Sequence, residues 1–199
     1  MLTPLSPFLS KKQIQREMMK AERRRAAEAR PDAARHAAKN FLASIPLPDG
    51  AVVALYHPLK DELDTAPLAE ALAERGVALA LPVVLRRDAP LGFRRWRPGD
   101  PLAKGPHKTM NPLETAETVE PGVVVAPLLA FTSAGGRLGY GGGYYDRTIA
   151  ALRRTKNIVA IGYAYGVQQV DALPIAPLDQ PLDWIVTERE AIRAAGSKA

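Results

Sequence analysis

AVVALYHPLKDELDTAPLAEALAERGVALALP, residues 51–82, reads as a strand, a polar turn, a helix and a second strand. Ala51 to Tyr56 is an apolar run of strand length, and His57 to Glu62 is a proline-containing turn. A helix opens at Asp64 or Thr65 and runs to Arg75, and Val77 to Leu81, ended by Pro82, is the next strand. A strand that returns through a helix builds a parallel sheet, so the same rhythm is expected elsewhere in the chain. It recurs at Val123 to Pro127, at Ile158 to Gly162, and at Trp184 to Thr187, the last entered through the proline-spaced segment from Leu173 to Leu182. Between Leu91 and Trp96 apolar and charged residues alternate, the pattern of a half-exposed antiparallel strand. The expected fold is α/β: a single-domain three-layer sandwich over residues 1–199, with a mostly parallel, mixed sheet and helices on both faces.

Three more helices are expected. The first runs from Ser10 as N-cap to about Ala29, with Ile14, Met18 and Ala21 at helical spacing and Arg23, Arg24 and Arg25 as solvated surface. The second, Asp32 to Ser44, turns Ala34, Ala37, Ala38, Phe41 and Leu42 inward and leaves His36 incidental. The third runs from Tyr144 to Arg154. Residues 1–45 thus form a basic helical region packed on the core. Segment 97–120, rich in Pro, Gly, Lys and Thr, is expected to be loop and a candidate lid.

Composition narrows the chemistry. Zero cysteines exclude disulfides and thiol catalysis, and His36, His57 and His107 stand too far apart to form a local ligand pair. No apolar run approaches the ~18 residues of a membrane span, and the N-terminus lacks a signal-peptide pattern, so a cytoplasmic protein is expected. Residues 1–40 hold ten Lys/Arg against four Asp/Glu and the remainder 17 of each, so the whole +6 net charge is N-terminal. Such a stretch suits nucleic acid, a solvated helix face, or a helix closing over an acidic cofactor.

Six of the 15 glycines fall between Gly135 and Gly143, in GGRLGYGGGYYD at 135–146. Backbone amides freed of side chains at the start of a helix can approach an anion closely. Arg137 adds a cation, Tyr144 and Tyr145 add rings with polar ends, and Asp146 adds a hard oxygen ligand, a set that fits a metal-bound polyphosphate. Lys12 and Arg16, four apart, share one helix side and either grip such a phosphate or are solvated. Glu62 falls where ligands collect in open sheets, at the carboxyl end of a strand. Asp183 stands at the mouth of the last strand. Beside Asp146 it would complete a two-carboxylate magnesium site, and otherwise both aspartates are turn or helix-start residues. Trp96 is a core-edge residue or a stacking plate.

RLGYGGGYYDR at 137–147, APLLAF at 126–131 and DELDT at 61–65, with the Lys12 and Arg16 pair, FRRW at 93–96 and DWIVT at 183–187 in order, closely resemble the 5-formyltetrahydrofolate cyclo-ligase family. The resemblance implies ATP- and Mg2+-dependent closure of 5-formyltetrahydrofolate, polyglutamylated forms included, to 5,10-methenyltetrahydrofolate. It implies no nucleic-acid or membrane partner and leaves monomer the expected state, with homodimer as the alternative. Carried over by position, Lys12, Arg16, Arg137, Leu138, Gly139, Tyr140, Gly141, Gly142, Gly143, Tyr144 and Tyr145 resemble the ATP-binding set, with Arg137, Tyr144 and Asp146 at the reaction. Arg16, His57, Glu62, Trp96, Tyr140 and Tyr144 resemble the folate contacts, and Asp146 and Asp183 the magnesium carboxylates. Some members carry Arg and Lys where this chain has Tyr140 and Gly142, so the implied cations would come from elsewhere, with Lys104, Lys108 and Arg147 as candidates. Rival readings are a nucleic-acid-binding or interaction protein using the basic helix, and an ATP-dependent kinase or ligase for another small acid.

Overall fold

The computed structural model describes residues 11–195, so the expected N-cap Ser10 lies outside the described residues. In chain order its elements are α1 (Lys11–Ala29), α2 (Ala33–Ser44), β1 (Val53–Ala54), α3 (Ala66–Glu74), β2 (Leu79–Val83), β3 (Gly92–Arg95), β4 (Leu102–Lys104), β5 (Met110–Pro112), β6 (Val123–Ala126), β7 (Ala130–Phe131), β8 (Arg137–Leu138), α4 (Tyr144–Thr155), β9 (Val159–Tyr163), β10 (Trp184–Val186) and β11 (Ala191–Arg193). Seven strands form one sheet in the order β11-β10-β9-β6-β1-β2-β3. The inner pairings are parallel, and β3 and β11 close the two edges antiparallel.

Alternation along the strands makes the layers. Val53, Leu55, Leu79, Leu81, Val123 and Val125 point to one face and pack with Phe41 of α2 and Leu68 and Leu72 of α3. Ala54, Ala80 and Val124 point to the other face and meet Leu152 of α4, while Ile149, one turn earlier, packs with Ala160 and Ile185. A period of two in the strands and of 3.6 in the helices therefore yields the expected three-layer α/β sandwich.

Four local expectations need correction. The inward face of α1 carries Met19, Arg23 and Ala26, whereas Ile14, Met18 and Ala21 are exposed. Strand β2 runs through Pro82, which pairs with Phe93 on the short edge strand β3. Segment 97–120 holds an antiparallel ribbon of β4 and β5 joined by a 3-10 turn, and β11 is an additional edge strand. Short polar ribbons such as Leu102–Lys104 lack the apolar alternation that marks a strand in sequence.

Candidate active site

The chain leaves β1 toward β2 on one side and enters β6 on the other, so the strand order reverses between β1 and β6. Open α/β sheets receive ligands at such a point, beyond the carboxyl ends of the strands. A cavity of about 620 Å³ lies there, lined by His57 and Glu62 after β1, Pro82 and Val84 at the end of β2, and Pro127 after β6.

The glycine segment forms its opposite wall. Leu138 ends β8, Gly139 to Gly143 turn the chain, and α4 starts at Tyr144 with Gly143 as a left-handed cap. Gly141 (φ +101°) and Gly143 (φ +66°) hold conformations costly for other residues. A Cβ on Gly143 would also meet the Arg147 guanidinium at 2.6 Å. Arg147 donates to the Gly142 carbonyl (2.7 Å) and lies over the Tyr144 ring, 5.1 Å from its centre. The opening turn of α4 borders the cavity, and its amides and dipole favour an anion there.

α1 binds this wall through long cations on its inward stripe. Lys12 Nζ pairs with Asp179 at 3.1 Å, Arg16 Nε donates to the Gly139 carbonyl at 2.9 Å, and Arg23 donates to the Tyr140 hydroxyl. Lys12 and Arg16 line the cavity, while Arg23 is buried beside it, contrary to the expected solvated surface, with only Arg24 and Arg25 exposed.

The carboxylates divide between two regions. Glu62 Oε2 accepts from the Leu59 amide and Oε1 from the Tyr140 hydroxyl, both at 2.8 Å. Burial raises the Glu62 pKa, and the Leu59 amide, Tyr140, Arg23 and His57 only partly oppose it. Asp146 Oδ1 accepts from Arg137 (2.6 Å) and the Gln180 amide (3.0 Å). Asp179, on the loop before β10, accepts through Oδ2 from the Ala176 amide (2.8 Å) and from Lys12. Burial alone would raise its pKa, but the Ala176 amide and Lys12 outweigh that and hold it below the ordinary value. Arg137 stands near both aspartates, and its own pKa is lowered by burial against their pull.

The sequence profile of the 5-formyltetrahydrofolate cyclo-ligase family matches residues 8–188. The chain belongs to that family. It is 35% identical over 173 residues to the 5-formyltetrahydrofolate cyclo-ligase of Escherichia coli K12, covering 83% of this chain and 94% of the relative. It is 31% identical over 193 residues to that of Mycolicibacterium smegmatis, covering 93% and 97%. Its fold resembles the NMR structure of Aquifex aeolicus 5,10-methenyltetrahydrofolate synthetase, with a TM-score of 0.77, 29% identity and coverage of 94% and 95%. A 5,10-methenyltetrahydrofolate synthetase from Mycoplasma pneumoniae gives 0.70 and 25%, with coverage of 90% and 99%.

In this cyclo-ligase family member two of the expected site residues stand apart from the cavity. Asp183 pairs with Arg153 at 2.9 Å and accepts from the Ala160 amide at 2.8 Å. Ala160 is near the start of β9, so Asp183 sits at the amino ends of the strands and the structure does not bring it to Asp146. Trp96, whose amide bonds Leu79 at the start of β2, is likewise at that end and packs against the core. Lys104 and Lys108 are exposed and do not line the cavity. Sequence reading missed Asp179, four residues before Asp183, in a proline-rich loop with no periodicity to place it. Also missed were Thr109 and Met110, which reach the cavity from the β4–β5 ribbon.

Proposed function

We propose that the chain closes 5-formyltetrahydrofolate to 5,10-methenyltetrahydrofolate with ATP and Mg2+, releasing ADP and phosphate, as a cytoplasmic monomer. The observation that carries this reading is one cavity bounded by a glycine turn that opens a helix on one wall and a buried, oriented carboxylate on the other. In the reaction the N5-formyl oxygen attacks the γ-phosphorus and ADP leaves. N10 then attacks the formyl carbon, phosphate is expelled, and the N10 proton is lost. No protein nucleophile is needed, so the work of the protein is positioning and charge.

Lys12, Arg16 and the amides around Gly141 to Tyr144 hold polyphosphate oxygens. Tyr144 stands between nucleotide and folate. Glu62 and His57, whose buried Nδ1 has no partner among the described residues, bind the polar edge of the pterin. The donor set suits magnesium: among the described residues Asp146 bonds the protein only through Oδ1 and Asp179 only through Oδ2, so each keeps an oxygen for a hard cation. These two residues would hold the ion, replacing the pairing expected with Asp183, and when bound it neutralises charge on the phosphates.

The test is the absorbance of the methenyl product with purified protein, ATP and 5-formyltetrahydrofolate. A rise that requires both substrates is expected, and none in any condition refutes the activity. Lys12→Ala should raise the KM for ATP about tenfold, the worth of one charged hydrogen bond, with a smaller change in the folate KM. A change confined to folate would contradict the assignment of Lys12 to phosphate.

A further inference from the structure

Arg23 is outside the glycine segment and does not line the cavity, yet it is among the most buried charged residues described, its side chain 6% exposed. Its guanidinium donates to the Tyr140 hydroxyl and lies 5.5 Å from the centre of that ring. Tyr140 in turn donates to Glu62 Oε1 at 2.8 Å, and Arg23 itself is 3.8 Å from the same oxygen. Glu62 is equally enclosed, at 4% side-chain exposure.

A buried arginine–glutamate pair is a poor device for stability, because the cost of removing both charges from water consumes most of their attraction. Arg23 Nε makes the balance worse, being buried with no acceptor among the described residues. What the arrangement does supply is orientation. The Leu59 amide holds one oxygen of Glu62, and Tyr140, itself fixed by Arg23, holds the other.

We infer that Arg23 is a positioning residue for folate: acting through the Tyr140 hydroxyl, it sets the carboxylate of Glu62 toward the pterin and ties that carboxylate to the nucleotide turn. Arg16 and Arg23, two turns apart on α1, grip adjacent residues of the turn, Gly139 and Tyr140, so one stripe of the helix holds the turn wall directly and Glu62 on the facing wall through Tyr140. The inference rests on the proposed role of Glu62 in holding folate.

The test compares Arg23→Met, Arg23→Lys, Tyr140→Phe and Glu62→Gln in steady-state kinetics with 5-formyltetrahydrofolate and ATP. Arg23→Met is expected to raise the folate KM about tenfold, with kcat at saturating folate and the ATP KM changed less than about threefold. Arg23→Lys should recover part of the loss. Tyr140→Phe, which keeps the ring and removes only the relaying hydroxyl, should reproduce the Arg23→Met effect, and the double variant should be no worse than either alone. Equal losses in kcat and both KM values, or additive losses in the double variant, would overturn the inference. Should Arg23→Met fail to fold, an unchanged folate KM in Tyr140→Phe overturns it alone. An unchanged folate KM in Glu62→Gln removes the reading beneath it, whereas inactive wild-type protein indicts the proposed activity.

Discussion

Asp146→Asn is expected to lower kcat on the order of 100-fold or more while the protein still folds. Asparagine keeps an oxygen where Arg137 and the Gln180 amide now donate, so the buried guanidinium retains an acceptor. The negative charge that would hold the divalent ion is removed. Raising Mg2+ should restore part of the rate, and circular dichroism should be unchanged. Normal turnover at ordinary Mg2+ would end the assignment. Asp183→Asn is the control. Paired with Arg153 at the far end of the sheet, it should cost stability, about 1–3 kcal/mol for a weakened hydrogen-bonded ion pair, and leave the Mg2+ dependence of the rate where it was.

Glu62→Gln is expected to raise the folate KM by about 10–100-fold, since a hydrogen bond to a charged group contributes roughly 1.5–3 kcal/mol. The wild-type folate KM should also depend on pH. Burial raises the Glu62 pKa above the ordinary glutamate value, so as pH falls the carboxylate is protonated earlier than a surface glutamate would be. Binding that needs the ionised form is present above that raised pKa and lost on acidification through it. The acid limb of kcat/KM for folate should accordingly lie above the usual glutamate range in wild type and vanish in Glu62→Gln. A limb that persists in the variant would assign the titration to another group.

Much of the fold was legible because buried strands announce themselves. Ala51 to Tyr56 and Val123 to Pro127 are apolar throughout, and the central strands β1 and β6 lie within them with apolar residues facing both layers. The glycine segment was legible for a different reason: nothing but a turn needs left-handed backbone at both Gly141 and Gly143. What failed was the facing of α1. Reading Ile14, Met18 and Ala21 as its apolar spacing assumes that the buried stripe is the greasy one, whereas the stripe that docks runs through Lys12, Arg16, Met19, Arg23 and Ala26. Long cations carry apolar stems and can line a buried seam when acceptors wait at the end, and those acceptors are far away in sequence. Asp179 was hidden similarly, since only folding brings it to Lys12, 167 positions away.

The seam that docks α1 and the wall that would receive nucleotide are built from the same atoms, Arg16 against Gly139 and Arg23 against Tyr140. Substitutions there alter helix attachment and substrate binding at once, which leaves little freedom for drift. The β4–β5 ribbon differs: among the described residues it touches the cavity only through Thr109 and Met110, and it carries no strand of the central sheet. Variation in substrate preference among descendants of this chain should therefore accumulate on the ribbon, with the seam held nearly constant.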